Sequence, residues 1–460
     1  MMPIPFLGLP TRILALPATK LRLIGVTGIA LLLIVASVKY LQKAAKPSDL
    51  GTYTRTAFLR WRPQLIGGAH ADGRPILGLM QGADAYRLYN YPNPPIMALI
   101  LWPFLALPPL IGAMTWFYAK SAMAVLGILW VFRLVSGTGP PLPAGAKLLA
   151  VALAAHPILG DLSHGNVNIF IAFLVLATLE LVRRQHDFAA GLTLSLAVAC
   201  KVTPALFIPY FFWKRAWRLV LASVAGLVLW WLLVPGLVFG MERNSDLLTG
   251  WYEMMVRPFL IDGKVTSEHA NQSIPGVVFR LLTREPSVID YDENDHPFAA
   301  SFHNLVDVGP ENARLIIRLC QGIFVLLVIG LCRPTLQGPR ERQGLRFAAE
   351  CALILLGTLL FSERTWKHHA VGLILPVTVV IHFLSLRTST QAFRGMLAGI
   401  LLVVTALMLL PALFGGTVQD QALTYGSHTA AFLLLSVAVC GILRSERLGD
   451  QNSPRIGSPV

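Results

Sequence analysis

A lone carboxylate, Asp49, follows the first long apolar run of the chain. A lone ammonium, Lys201, interrupts the apolar stretch Val198-Ala199-Cys200-Lys201-Val202. Far downstream comes Ser362-Glu363-Arg364-Thr365-Trp366-Lys367-His368-His369. A carboxylate near neutral pH can take a proton from a hydroxyl as a general base. Lysine, arginine and histidine can hold a departing phosphate. One acid with several cations therefore suits group transfer from a phosphate. Each residue also has a plainer reading. Asp49 could cap a helix, Lys201 could snorkel, and residues 362–369 could form a solvated loop. Adjacent histidines such as His368 and His369 diverge on a helix or strand, so they make a poor metal pair. Trp102 and Trp366 suit an interfacial aromatic belt.

The elements that must position these groups follow from composition. The chain has 460 residues, 55% hydrophobic and 13% charged, with a mean hydropathy of +0.62. A soluble domain carries about 25% charged residues. The composition excludes a soluble enzyme, a disordered chain and a secreted disulfide scaffold, and leaves a polytopic helical membrane protein. The net charge is +14. Basic cytoplasmic loops account for it better than nucleic acid does, because no basic stripe interleaves with aromatics on a polar segment. The five cysteines lie in or beside apolar segments without metal-knuckle or disulfide spacing, and read as packing residues.

Apolar runs fall at 22–38, 112–134, 146–160, 165–182, 187–200, 203–213, 217–239, 313–332, 347–361, 369–386, 394–414 and 426–443. Basic clusters separate alternate runs: Arg183-Arg184, Lys214 to Arg218, Arg333 to Arg346, Arg387 to Arg394, and Arg444 to Arg447. These belong inside. Residues 241–312 hold 12 of the 24 acidic residues and only five Lys/Arg, so they belong outside. Two runs break the alternation. Residues 94–110 are short and proline-rich, and predict an interfacial or re-entrant helix on the outer side. The pair 187–200 and 203–213 has basic clusters at both outer ends. It predicts a re-entrant hairpin with its tip at Lys201-Val202-Thr203-Pro204. At about 1.5 Å per residue, thirteen residues reach about 20 Å into the membrane. The expected fold is an all-α bundle of about ten spans, this hairpin and outer interfacial helices, in one domain over 1–460. Its parts are a first outer loop at 42–110, a large outer loop at 240–312 and a cytoplasmic tail at 444–460.

On this topology polar groups from five distant segments share the outer face. They are 42–93, 160–166, the Lys201 tip, Asn271-Gln272-Ser273 and 362–369. The inner half is expected to be nearly free of ionisable residues. Ionisable groups near a membrane core are costly, so such a gathering marks a site.

Four segments give the chain a resemblance to glycosyltransferase family 87. These polytopic GT-C-type enzymes include mycobacterial polyprenol-phosphate-mannose-dependent mannosyltransferases. The segments are Asp49-Leu50-Gly51-Thr52-Tyr53-Thr54-Arg55; Tyr89-Asn90-Tyr91-Pro92-Asn93-Pro94-Pro95 with Trp102-Pro103; His164-Gly165-Asn166-Val167-Asn168 running on to Lys201-Val202-Thr203-Pro204; and Asn271-Gln272-Ser273 with Ser362 to His369. The likeness runs from about residue 20 to 386. It departs in one place: the family's Gly-Gln-x-Asn is here Gly165 followed by Asn166. The stretch Asp290-Tyr291-Asp292-Glu293-Asn294-Asp295 resembles an insertion, read as a solvated loop.

The resemblance implies a GT-C fold with Asp49 as catalytic base. Lys201, Arg364, His368 and His369 would face the donor phosphate. Tyr53, Tyr91, His164, Asn166, Asn168, Asn271, Gln272 and Trp366 would bind substrate. The expected activity is inverting transfer of a sugar, mannose first, from a polyprenyl-phosphate donor to a lipid or glycan acceptor. No metal or other cofactor, and no nucleic acid, is expected. The setting is the inner (plasma) membrane, with both termini cytoplasmic and the site extracytoplasmic. The alternatives are a lipid-linked-sugar transporter or flippase, and a non-catalytic envelope-assembly protein.

Overall fold

A hydrocarbon environment offers no water to backbone amides, so apolar runs in it must fold as helices. A computed structural model describes residues 17–45, 86, 92–291, 297–336 and 338–452. It bears out an all-α polytopic architecture. Helices α1 (Ala18–Ala45), α2 (Pro95–Leu105), α3 (Pro109–Ser136), α4 (Ala144–His164), α5 (Asn168–Arg183) and α6 (Asp187–Cys200) come first. A tight turn, Thr203–Leu206, leads into α7 (Phe207–Trp213). Then follow α8 (Trp217–Phe239), α9 (Met241–Trp251, running on as a wider helix over Tyr252–Ile261) and α10 (Ile274–Leu282). The chain continues with α11 (Pro310–Leu331), α12 (Leu345–Leu360), α13 (Lys367–Leu386), α14 (Gln391–Phe414), α15 (Gly416–Thr424) and α16 (Ser427–Asn452). A small antiparallel hairpin, β1 (Val288–Tyr291) with β2 (Pro297–Ser301), lies in the acidic segment. Eight of these helices are long and apolar enough to cross a membrane: α1, α3, α4, α8, α11, α13, α14 and α16. The two 16-residue helices α5 and α12 pack among them.

Side-chain bonds show which helix ends lie together. At one end Lys214 Nζ donates to Glu350 at 2.6 Å and to the Arg333 carbonyl at 3.0 Å. Arg342 pairs with Asp187, Arg387 bonds Glu446 at 3.0 Å, and Arg447 reaches the Gly330 carbonyl at 2.7 Å. All five basic clusters except Arg183-Arg184 enter these links, and those two arginines bond Glu180 on α5 beside them. The opposite end gathers 160–168, 201, 266–273, 361–369 and 423–428. This alternation matches the charge pattern of the sequence.

The hairpin forms as expected and reaches further. α6 runs antiparallel to α5 and returns through α7, and its tip meets the first residue of α5. Its base is fixed at the basic end. Glu350 accepts from Lys214, from the Tyr210 hydroxyl at 3.0 Å and from the Arg333 amide at 3.1 Å. That end was expected to be nearly free of ionisable groups. Instead Lys214, Glu350 and Glu180 are all buried there. The difference is physical: a buried charge is stable once paired and hydrogen-bonded, and each of these is.

α6 also lies close against α8 through small residues. Ser223 Oγ donates to the Gly191 carbonyl at 3.2 Å. A Cβ at Gly191 would collide with the Leu219 carbonyl oxygen and Ala222 Cβ, and one at Gly226 with Ser195 Oγ. Backbone oxygen cannot yield as a flexible side-chain tip does. We expect Gly191→Leu to cost at least the 1–3 kcal/mol typical of overpacking. It should show as a lower thermal unfolding midpoint in detergent, beside an unchanged Gly160→Ala control, where a Cβ meets open space.

α2 is a short helix of 11 residues, as the prolines of 94–110 predict. Its residues Ile96, Met97, Ala98 and Leu101 are buried against the bundle, and Trp251 Nε1 of α9 donates to the Pro92 carbonyl just before it at 3.2 Å. The outer segment is clamped to the bundle by Arg280 of α10. This fully buried guanidinium donates to the carbonyls of Thr424 at 2.7 Å, Glu268 at 2.7 Å, Ser267 at 3.0 Å, Asn271 at 3.1 Å and Leu423 at 3.2 Å. Burial lowers its pKa to about 10.

Candidate functional site

The site is a chain of buried polar groups at the end opposite the basic loops. α4 ends at Gly165, which takes a left-handed conformation with φ of 68° and turns the chain sharply into α5. That turn sets Asp161, in the last turn of α4, against Asn168, the first residue of α5. The Asp161 carboxylate is completely buried. It accepts from Asn168 Nδ2 at 2.9 Å and the Ile169 amide at 3.2 Å, and pairs with Lys120 Nζ of α3 at 3.4 Å. Lys120 also donates to the Asp161 carbonyl at 2.8 Å.

This network fixes the Asn168 amide. Its nitrogen faces the carboxylate, so its oxygen must face away, and that oxygen accepts from Lys201 Nζ at 2.7 Å. A second contact of Lys201 is His369 Nε2 at 3.3 Å. His369 Nδ1 lies 3.2 Å from the Arg364 carbonyl. The Trp366 amide lies 3.3 Å from the same Nδ1; in the tautomer whose Nδ1 donates to the Arg364 carbonyl, Nε2 is the acceptor that Lys201 needs. Two acceptors thus hold one ammonium, which has three protons to give.

Below Lys201 an apolar slot of about 60 Å³ runs between α5, the Thr203–Phe207 segment, α12 and α13. Ile171, Val175, Phe207, Leu359 and Leu373 line it, and Asn168, Lys201 and His369 form its polar rim. An ammonium at the mouth of an apolar slot suits an amphiphilic anion.

The remaining candidates extend from this core. Trp366 lies nearly parallel to His369, 6.3 Å between centroids, and its ring is within 5.7 Å of the Arg364 guanidinium. His368 stacks on His164 at 6.0 Å. Asn166 is buried in the turn beside Asn168. Asn271 and Gln272 are buried one layer back. Asn271 donates to the Thr266 and Glu363 carbonyls and accepts from the Thr365 amide at 2.9 Å. Gln272 bonds the carbonyls of His269 and Leu423, both at 2.7 Å, and accepts from the His428 amide. With their amides engaged by backbone, these two shape the 362–369 loop. Glu363 accepts from Thr266 Oγ1 at 3.0 Å, and burial raises its pKa. Asp49, Tyr53 and Tyr91 lie outside the described residues, as does the acidic tip of the β-hairpin. Among the described residues no three His, Cys, Asp or Glu side chains gather as metal ligands would.

Sequence reasoning assigned no role to Asp161 or Lys120. Lys120 carried a signal, a charge within an apolar span. Removing one member of a buried charge pair strands the other, at a cost of about 3–5 kcal/mol. Asp161→Ala is therefore expected to unfold at markedly lower temperature than Asp161→Asn, which keeps an oxygen for Lys120 and the Ile169 amide. A thermal melt of both variants checks this.

The fold and site define a multi-pass membrane protein with a buried ammonium beside an apolar slot. The chain belongs to glycosyltransferase family 87, whose profile matches residues 91–363. It is 28% identical over 421 residues to a polyprenol-phosphate-mannose-dependent alpha-(1-2)-phosphatidylinositol mannoside mannosyltransferase of Mycolicibacterium smegmatis, covering 86% of each chain. It is 25% identical over 418 residues to the protein of the same description from Mycobacterium tuberculosis, covering 85% of this chain and 86% of that one. A solved structure of ArnT from Cupriavidus metallidurans bound to undecaprenyl phosphate aligns over 92% of this chain and 78% of that one, at 14% identity and a TM-score of 0.35.

Proposed function

We propose that this glycosyltransferase moves mannose from a polyprenyl-phosphate donor to a lipid or glycan acceptor on the extracytoplasmic face. The observation that carries the reading is Lys201 Nζ, held by Asn168 and His369 at the mouth of an apolar slot. The slot suits an isoprenoid chain and the ammonium suits its phosphate. Arg364, His368 and Trp366 lie where the phosphate and sugar would project. The names of the relatives, which specify polyprenol-phosphate-mannose, support the donor class.

In the proposed reaction an acceptor hydroxyl attacks the anomeric carbon from the face opposite the phosphate. The carbon–oxygen bond to phosphate breaks and its electron pair leaves with the phosphate. Asp49 takes the hydroxyl proton, and the configuration inverts. The leaving phosphate gains one negative charge, which Lys201 meets directly. Side-chain cations would here do what a metal does elsewhere, so the reading is metal-independent. In this reading both termini lie in the cytoplasm, which the gathering of the basic clusters at the end opposite the site supports.

Incubating the purified protein with radiolabelled polyprenyl-phosphate-mannose and envelope lipid extract tests the reading. A labelled glycolipid or glycan is expected. Donor equilibration across vesicles with no new glycosidic bond would overturn it in favour of a flippase.

A further inference from the structure

Asp161 and Lys120 are both completely buried. A buried ion pair is weak evidence of stability, because well-packed apolar residues of similar volume often serve as well or better. The bonds of this pair point to another purpose. Lys120 Nζ donates to the Asp161 main-chain carbonyl at 2.8 Å and lies farther, at 3.4 Å, from the carboxylate. The carboxylate divides its two oxygens. Oδ2 takes the Ile169 amide at 3.2 Å along with Lys120, and Oδ1 is left to Asn168 Nδ2 at 2.9 Å. α3 pins the far side of the same α4–α5 turn. Trp116, one helical turn before Lys120, donates from Nε1 to the Gly165 carbonyl at 2.9 Å.

An ionised carboxylate only accepts hydrogen bonds, whereas an amide can present either its oxygen or its nitrogen. Facing Asp161, Asn168 has one choice. Its nitrogen turns to the carboxylate and its oxygen to Lys201, which donates to it at 2.7 Å. Turned over, the amide would set oxygen against oxygen on one side and N–H against ammonium on the other. Capping the first turn of α5 would explain the Ile169 bond alone. It does not explain why Oδ1 is given to a side chain whose other end holds Lys201.

We propose that Asp161 is a positioning residue for the transfer reaction: by fixing the orientation of the Asn168 amide, it sets the Lys201 ammonium at the mouth of the apolar slot. Asn168 and Lys201 line that slot and Asp161 does not, so Asp161 acts through Asn168. The relay joins three parts of the fold, the end of α4, the start of α5 and the hairpin tip. For the reaction it serves, this assignment rests on the proposed sugar transfer; for the placement of Lys201 it does not.

The test is Asp161→Asn, which has a single oxygen to offer. That oxygen serves the side with two donors, Lys120 and the Ile169 amide, and the new NH2 group faces Asn168. Asn168 must then turn over and present N–H groups to Lys201. kcat is expected to fall about 10–10²-fold, as when a reacting group is misplaced, with the donor KM unchanged. In a Lys201→Ala background the same substitution should cost less than about twofold, because its route to the phosphate is gone. Adding Asn168→Asp to Asp161→Asn moves the acceptor-only group one place along the relay, where it can accept from both the new amide and Lys201. Part of the lost rate should return, a rescue that a capping role does not give. Polyprenyl phosphate retained on delipidated protein, read by native mass spectrometry, should fall about tenfold in Asp161→Asn. An equal loss of kcat with and without Lys201, or a wild-type kcat in Asp161→Asn, overturns the assignment. Should Asp161→Asn not fold, Asn168→Ser breaks the same relay, and an effect additive with Lys201→Ala overturns it equally. Retention of polyprenyl phosphate that depends on Asp161, in a protein that forms no glycosidic bond, leaves the relay standing and overturns the transferase reading instead.

Discussion

Replacing Lys201 with alanine is expected to lower kcat for sugar transfer by about 10²–10³-fold, the range seen when one preorganised charge stabiliser is removed. Most of the effect should fall on kcat. The donor phosphodiester carries one negative charge in the ground state, and its leaving phosphate approaches two. An ammonium beside it therefore binds the transition state more strongly than the substrate, and only that difference accelerates the reaction. Lys201 is already oriented by Asn168 and His369, so no reorganisation is needed as charge develops. Arginine should recover part of the rate. It restores charge, but its planar fork cannot replace one nitrogen placed between an amide oxygen and an imidazole. Initial rates with saturating radiolabelled donor, on variants whose thermal midpoints match wild type, measure the loss. A donor KM effect with unchanged kcat would assign Lys201 to ground-state binding alone.

Asp49→Asn is expected to lose about 10²–10⁴-fold in kcat, the usual contribution of a general base. Asparagine keeps size and hydrogen bonding but cannot take the proton. The donor should still bind, since in the proposed reaction its phosphate is held by other segments. The discriminating measurement is therefore paired: transfer rate falls while retained polyprenyl phosphate does not. A helix-capping role for Asp49 predicts the opposite pattern, because asparagine caps as well as aspartate. Near-normal transfer by Asp49→Asn removes it from the reaction.

Much of this architecture is legible in the residues. The apolar runs and the alternation of basic clusters give the order of helix ends, and the flanks of 187–200 and 203–213 give the hairpin. The topology sets Lys201 and His369 on one face, the family resemblance adds Asn168, and the structure joins the three within hydrogen-bonding distance. What escaped was pairing over distance. Asp161 reads as one polar residue of a turn, and nothing local says that Lys120, 41 residues earlier, draws its carboxylate inward. Glu350 reads as a charge near a helix end, yet it anchors Lys214, 136 residues away. Asn271 and Gln272 read as substrate contacts because they are polar and lie on the site face. The coordinates add that their amides also hold backbone to backbone. The prolines and length of α2 predict a short helix and it forms one, but its tie to the later chain, Trp251 on the Pro92 carbonyl, is again a pairing over distance.

The placement of Lys201 also constrains how the protein is made. Its amide partner, Asn168, is already synthesised when the hairpin emerges, but His369 follows 168 residues later. At about 5–20 residues per second, that interval is about 8 to 34 s. Throughout it the newly inserted hairpin holds its ammonium against α5 alone. Nascent-chain assembly in the bilayer therefore passes through a half-built pocket, which the arrival of α13 closes.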